Sequence, residues 1–163
     1  MKLLIISILM TSFIACANSQ EQDDEFVDFY RNYKNTDGVI AFNLPTFLVK
    51  AIVDDSDEEL EKFVKKTDDI RFFISEKNNN SLYRKLNSHL PQSTYHDLMV
   101  IKDGSSTVTF KIREHKNKIQ EILMMANGDS SFVAISFTGD FTIDDAKRLA
   151  KSIKTDEVGE IRL

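Results

Sequence analysis

Three histidines are the residues of this sequence best suited to proton transfer or metal binding, and their spacing favours neither role. His89, His96 and His115 form none of the H-E-x-x-H or H-x3-5-H patterns that bring two imidazoles to one metal ion. The single cysteine, Cys16, lies close to the N-terminus and completes no zinc-binding set with them. We therefore expect neither a metal site nor a bound cofactor.

Adjacent carboxylates such as Asp68-Asp69 and Asp144-Asp145 could perform general acid–base catalysis. Both pairs lie at expected ends of helices or strands, where acidic residues are common without a catalytic role. The sequence contains no G-x-S-x-G nucleophile elbow, no G-x-G-x-x-G run and no Walker A run, and Gly128-Asp129-Ser130 is better explained as a hairpin turn. We expect no catalytic residue, and an envelope hydrolase with an unrecognised site is the least favoured alternative.

Two clusters of charge have both a ligand-binding and a structural explanation. The acidic cluster invites Ca²⁺ binding, but it lacks the spacing of an EF-hand loop and lies at an expected helix N-terminus, where carboxylates are favoured. The cationic cluster could meet anionic lipid headgroups, an acidic partner or a polysaccharide, and we favour a solvated sheet face. The acidic cluster comprises Asp54, Asp55, Asp57, Glu58 and Glu59, and the cationic cluster comprises Lys102, Lys111, Arg113, His115, Lys116 and Lys118.

Cys16 is the residue whose position points to a definite chemistry, namely lipidation. Lys2 and residues 3–10, which are apolar except for Ser7, form the start of a secretory signal. This apolar stretch is shorter than the roughly 20 residues needed to cross a bilayer. The run Phe13-Ile14-Ala15-Cys16 resembles the bacterial lipobox, except that Phe13 replaces the usual Leu. We predict a signal peptide over 1–15, and a lipidated Cys16 with a flexible acidic spacer over 16–25. Cleavage before Asn18, which would leave a soluble protein, is the alternative.

Length and charge limit the rest of the chain to one acidic domain. With 163 residues, 42% of them apolar, the sequence can bury one core and is too short for two ordinary domains. A formal net charge of -5 argues against nucleic acid as a partner, because phosphate backbones reward a cation excess. We predict a single domain over 26–163, with the membrane as a partner through the lipid anchor.

Helices are expected where apolar residues recur at spacings of three and four, as in the aromatic face of Phe26, Phe29, Tyr30 and Tyr33. Strands are expected from β-rich or alternating runs that end at turn residues. The predicted helices cover 26–33, 45–52, 56–64, 82–90 and 142–153, and the predicted strands cover 39–42, 70–74, 98–101, 107–113, 119–126, 132–137 and 158–163.

The last strands should form an antiparallel meander, because Asp103-Gly104 and Asn127-Gly128 are hairpin signals. The run 107–113 alternates apolar residues with Thr109, Lys111 and Arg113, which predicts one buried face and one face in water. The fold class is therefore α+β, a two-layer sandwich in which helices cover one face of a largely antiparallel sheet. The buried face should carry Val108, Phe110, Ile112, Val133, Ile135 and Phe137.

These features together resemble a Bacteroidota lipoprotein family of unassigned function, the domain of unknown function 4252. The resemblance runs from the aromatic helix and Asp37-Gly38 to the C-terminal helix. It is most specific over 119–143, where Asn127-Gly128-Asp129 and Gly139-Asp140-Phe141 follow the order of the family. It implies an exported, lipidated α+β module and carries over no catalytic residue, since none is assigned to the family.

Leader and motifs together predict a lipid-anchored binding or interaction module of the cell envelope, located at the outer membrane on its periplasmic or surface side. An envelope protein could be a further partner. An alternative is an accessory protein of an envelope signalling system of the sigma/anti-sigma kind, which neighbouring sigma-factor and anti-sigma genes would favour.

Overall fold

The computed structural model describes residues 24–52, 58–77 and 79–152 of the chain. These residues form five helices and six strands that alternate at first and then give way to consecutive strands. In chain order the elements are α1 (Glu25–Tyr33), β1 (Val39–Pro45), α2 (Thr46–Ile52), α3 (Glu58–Lys66), β2 (Thr67–Ser75), α4 (Asn79–His89), β3 (Tyr95–Asp103), β4 (Ser106–His115), β5 (Lys118–Asn127), β6 (Phe132–Phe141) and α5 (Ile143–Ser152).

The six strands form one sheet in the order β1-β2-β6-β5-β4-β3, and all neighbouring strands are antiparallel. Strands β3 to β6 are the predicted meander. The β4–β5 turn has positive φ at Lys116 (51°) and Asn117 (63°), and the β3–β4 turn has positive φ at Gly104 (55°). Such values suit tight hairpin turns, whose twist matches that of the strands. The hairpins predicted at Asp103-Gly104 and Asn127-Gly128 are confirmed.

One face of the sheet is apolar along its length and packs against α3 and α5. The register aligns Val108 with Val133 and Ile112 with Phe137 across β5, so the two predicted trios of side chains share this face. Four of the six are buried and the other two, Ile135 and Phe137, are partly buried against the same clusters. The prediction for this face is confirmed.

The opposite face is also covered, by α1 and α4. Phe26 and Phe29 of α1, together with leucines of α4, pack on Phe73, Leu123 and Met125 of the sheet. The α+β class and the antiparallel sheet are confirmed, but helices lie on both faces, so the sandwich has three layers rather than two. Helix α1 leads into the edge strand β1, and α4 leads into the edge strand β3. The apolar stripes of both helices are buried on this second face of the sheet.

The structure differs from the predicted elements mainly at the ends of helices and strands. Helix α1 begins at Glu25, one residue inside the predicted spacer, because the carboxylate of Asp24 caps it by accepting a hydrogen bond from the Val27 amide at 3.1 Å. Pro45 ends β1 instead of opening α2. Cys16, the Ser56 helix start and the strand predicted over 158–163 lie outside the described residues.

Gly139 marks the point where the end of α3 comes closest to the sheet. A Cβ atom at this position would lie 2.1 Å from the carbonyl oxygen of Lys66, a separation that no real contact tolerates. The obstacle is backbone at the junction of α3 and β2, which a side-chain rotation cannot move. Glycine is therefore required here for packing.

We predict that Gly139→Ala lowers the free energy of unfolding by about 1–3 kcal/mol or more, since this is the usual cost of overpacking a well-packed region. Urea denaturation followed by circular dichroism measures it. Gly128→Ala is the matched control, because a Cβ there meets its nearest atom, Ser106 Oγ, at an ordinary 3.4 Å. Equal stability of the two variants would show that the α3–sheet contact is not as close as described.

Candidate functional site

The densest group of polar side chains lies on the α1/α4 face of the sheet, beside the N-terminus of α1. Glu121 of β5 is at its centre and has no solvent-exposed surface. Strand pairing brings it opposite Arg113 of β4, which in turn lies opposite Tyr95 of β3. Ser136 of β6 completes a set drawn from four adjacent strands.

Both carboxylate oxygens of Glu121 accept hydrogen bonds from these neighbours. The Ser136 hydroxyl donates to Oε1 at 2.6 Å, while the Tyr95 hydroxyl donates to Oε2 at 2.5 Å. Arg113 Nε donates to the same Oε2 at 3.1 Å. A buried carboxylate requires such partners, since an unpaired charge in the interior costs several kcal/mol or more.

The network extends to the first described residue of the chain. Asp24 Oδ2 lies 3.7 Å from Arg113 Nη2 and 3.9 Å from Arg71 Nη1. Arg71 Nη2 in turn lies 2.5 Å from Asp69 Oδ2. The residue that caps α1 is thus placed between two guanidinium groups of the sheet, which fixes the start of α1 on this face.

Burial governs the ionisation of the central groups. It raises the pKa of Glu121, and the nearby negative charge of Asp24 adds to this rise, while the bonds from Ser136, Tyr95 and Arg113 partly oppose it. Burial and the Glu121 charge likewise raise the pKa of Tyr95, so its hydroxyl keeps the proton that it donates. Burial lowers the pKa of Arg113, but the charge and hydrogen bond of Glu121 together with the effects of Tyr95 and Asp24 outweigh this, and the pKa is raised overall.

The chemistry of this arrangement is structural. Both oxygens of Glu121 accept hydrogen bonds from buried side chains, and a substrate would have to displace Tyr95, Ser136 or Arg113 to reach the carboxylate. The four strands are held in register at this point by charge-assisted hydrogen bonds.

We predict that the Arg113–Glu121 pair shows strong coupling in a double-mutant cycle. Arg113→Met alone should destabilise the protein by about 3–5 kcal/mol, because it leaves Glu121 without its cation. Combining it with Glu121→Gln should cost clearly less than the sum of the two single variants. Urea denaturation at neutral pH measures all four proteins. Additive single effects would mean that the two charges do not interact in the folded state.

The histidines and carboxylate pairs considered as catalytic candidates are not brought together. His89 ends α4, His96 lies in β3 and His115 ends β4. Within the described ranges, no three His, Cys, Asp or Glu side chains assemble as a metal site. The turn carrying Asp129 is held by Asn79, whose Nδ2 donates to the Gly128 carbonyl at 2.7 Å, and by the Ser105 hydroxyl, which donates to Asp129 Oδ2 at 2.7 Å. The acidic cluster at 54–59 falls largely outside the described residues.

The side chain of Asp145 caps the N-terminus of α5. Its Oδ2 accepts hydrogen bonds from the Thr142 amide at 2.8 Å and from Lys66 Nζ at 2.7 Å, while Thr142 Oγ1 accepts one from the Asp145 amide at 3.2 Å. This is a reciprocal capping box that also fastens α3 to α5. Burial opposes ionisation, but the bonds from Lys66 and Thr142 outweigh it and lower the pKa of Asp145.

We predict that Asp145→Asn lowers the free energy of unfolding at pH 7 by about 1 kcal/mol, the usual contribution of a helix cap. Because the folded-state pKa of Asp145 is depressed, its stabilisation is present above the ordinary value of 3.8 and is lost as pH falls through the folded pKa. The difference from wild type should therefore shrink in acid. Asp144→Asn, at an exposed position of the same first turn, is the control and should have a smaller effect. A difference that does not change between pH 7 and pH 3 would contradict the assignment.

The prediction of a solvated face is wrong for Lys111 and Arg113 of the cationic cluster, whereas Lys102, Lys116 and Lys118 are exposed. Thr109, Lys111 and Arg113 are buried on the α1/α4 face. Lys111 Nζ lies 2.5 Å from Asp97 Oδ1, and Lys118 Nζ lies 2.5 Å from Asp140 Oδ2. Alternation of apolar and polar residues indicates two different faces, but it does not distinguish water from a buried carboxylate as the partner of the polar face.

A shallow groove of about 290 Å³ lies on the outer surface of α1 and α4. It is lined by Phe29, Asn32, Tyr33, Lys85, Ser88 and His89. The Lys85 ammonium lies over the Tyr33 ring, 5.1 Å from its centroid. Its residues come from two helices far apart in sequence, so no local motif marks it.

An antiparallel six-stranded sheet with helices on both faces and a buried polar network defines this protein as an α+β domain built on a meander. The chain belongs to the family described as Domain of unknown function (DUF4252), whose model matches residues 33–149. The predicted family resemblance is confirmed. No match was found among curated proteins or among solved structures. No helix of the described ranges is long and apolar enough to cross a membrane.

Proposed function

We propose that this protein is a lipid-anchored binding or interaction module of the cell envelope, held at the outer membrane through Cys16. The observation that carries the proposal is the position of Cys16. The only cysteine of the chain follows a short apolar leader, where lipidation requires a thiol. Two or more acyl chains on one residue are enough for stable anchoring, at about 0.8 kcal/mol per buried CH2.

The described part of the domain is consistent with a tethered module. Asp24 caps helix α1, and residues 17–23 separate it in sequence from the proposed lipid site. Asp24 is bound to Arg71 and Arg113 of the sheet. A tether attached at this residue would act directly on the central sheet rather than on a loose helix.

Surface features favour binding over catalysis. The main buried cluster of ionisable side chains satisfies itself through Glu121, Arg113 and Tyr95. In contrast, large apolar side chains remain exposed on β1 and α2, among them Phe42 and Phe47. Apolar surface of this kind is typical of sites where another macromolecule docks.

We predict that Cys16→Ser abolishes both labelling by a palmitate analogue and partition into the detergent phase, because a hydroxyl cannot form the thioether. The full chain should be expressed in a bacterial host with lipoprotein processing, and membranes should be washed with carbonate. Ser19→Ala, which alters a nearby polar residue and keeps the thiol, is the control and should behave as wild type.

Mass spectrometry of the mature N-terminus gives the opposing outcome. A wild-type chain that begins at Asn18 lacks Cys16, and the lipoprotein proposal would then be wrong. Retention of the Cys16→Ser protein in washed membranes would contradict it as well, since anchoring would not depend on the thiol.

A further inference from the structure

The two edge strands of the sheet differ in how they are protected. Strand β3 carries the charged residues Asp97, Lys102 and Asp103 and a register shift between Asp97 and Met99. Charges and bulges of this kind discourage an edge strand from pairing with another chain. Strand β1 has the sequence VIAFNLP, without any charge, and pairs with β2 without a register shift. In the described chain, no strand pairs with its outer side.

The side chains of β1 add apolar surface to this open edge. Ile40 is 43% exposed and Phe42 is 41% exposed, and both lie on the α3/α5 face. The Phe42 ring stacks on Phe72 of β2 with centroids 4.7 Å apart and planes 10° from parallel. One side of the Phe42 ring is therefore packed, and the strand presents an apolar row at the edge of the sheet.

The backbone of β1 is incompletely bonded by β2 alone. Each strand of an antiparallel pair directs only alternate N–H and C=O groups toward its partner. Of the remaining groups, the Val39 amide already donates to the Thr36 carbonyl and Pro45 has no N–H. Ala41 and Asn43 can therefore supply the N–H groups of a second ladder with an extended chain that fits. What fits is decided by the side chains opposite one another in that ladder.

We propose that the partner of β1 is β1 of a second copy of this protein, paired antiparallel about Phe42. This register places Phe42 opposite its own equivalent, Ile40 opposite Leu44 of the second copy, and Ala41 opposite Asn43 of the second copy. The two aromatic stacks would then meet across the interface, and the sheets of the two copies would become continuous. Antiparallel pairing of identical strands has two-fold symmetry, which is the commonest symmetry of homodimers.

Self-complementarity is what favours a second copy over an unrelated protein. In a two-fold interface about Phe42, each residue of β1 lies opposite the residue at the same distance from Phe42 on its other side. A charged residue at Phe42 would lie opposite the same charge, and one elsewhere in β1 would lie opposite an uncharged residue. β1 contains no charge at all, although the chain carries a net charge of -5. The acidic surface that repels two copies elsewhere is thus absent along this strand. The pairing does not depend on the lipid anchor, which would only raise the local concentration.

Disulfide cross-linking of the full chain in its own envelope tests the pairing. Phe42→Cys should give a disulfide-linked dimer under mild oxidation, because Cα atoms opposite each other in an antiparallel ladder lie about 4.5–5.5 Å apart, within disulfide range. Val100→Cys is the matched control, since Val100 is 47% exposed on the other edge strand, and it should remain monomeric. Wild type, whose only cysteine is Cys16, shows the background.

Sedimentation of the detergent-solubilised full chain is the second measurement. Wild type and Val100→Lys should sediment as dimers, while Phe42→Lys and Ile40→Lys should be monomers, since each introduces charge into the interface. A thermal melt confirms that the variants are folded. A monomeric wild type, a dimer that survives both β1 substitutions, or cross-linking of Phe42→Cys to a protein of a different mass would each overturn the proposal.

Discussion

The ion pair between Arg113 and Glu121 is the interaction on which the arrangement of the sheet depends. A carboxylate with no exposed surface, such as that of Glu121, is tolerated only when its oxygens accept hydrogen bonds and a cation balances its charge. Glu121 meets this condition through side chains of β3, β4 and β6, so one residue of β5 ties the registers of four strands together. Slippage of any of these strands by one residue would remove a partner and leave charge buried without compensation.

Because a buried charge needs a partner, the two faces of the sheet differ in what holds them together. Beneath most of α1 and α4 the sheet is apolar, and near Asp24 it becomes a chain of alternating charges that ends at Asp69. Among the residues that the structure describes, the α3/α5 face has no such chain. It depends on close packing, with the Gly139 backbone against Lys66 and the Asp145 capping box holding the two helices in place. Apolar burial supplies the bulk of stability on both faces, whereas the polar network supplies specificity of register.

This division has consequences for what the protein can do. Glu121, Arg113 and Tyr95 are engaged with one another inside the sandwich, while β1 combines an open edge with exposed apolar side chains, Ile40 and Phe42. The uncharged edge strand β1 supports the association that we propose. Such an edge would be a hazard in a freely diffusing protein unless it had a partner, which is consistent with a module whose partner is another strand.

Several features could be predicted from the sequence because they depend on neighbours along the chain. Alternation in β4 and β6 placed Val108 and Val133 on one buried face, and Asn127-Gly128 marked a hairpin, since strand period and turn chemistry are local. The lipidation of Cys16 is likewise inferred from the leader alone and stays a prediction. The burial of Lys111 and Arg113, and the central place of Glu121, could not be predicted in this way. Their partners lie on other strands and beneath a second helical layer, and whether a polar side chain faces water or a buried carboxylate is decided only when distant segments pack together.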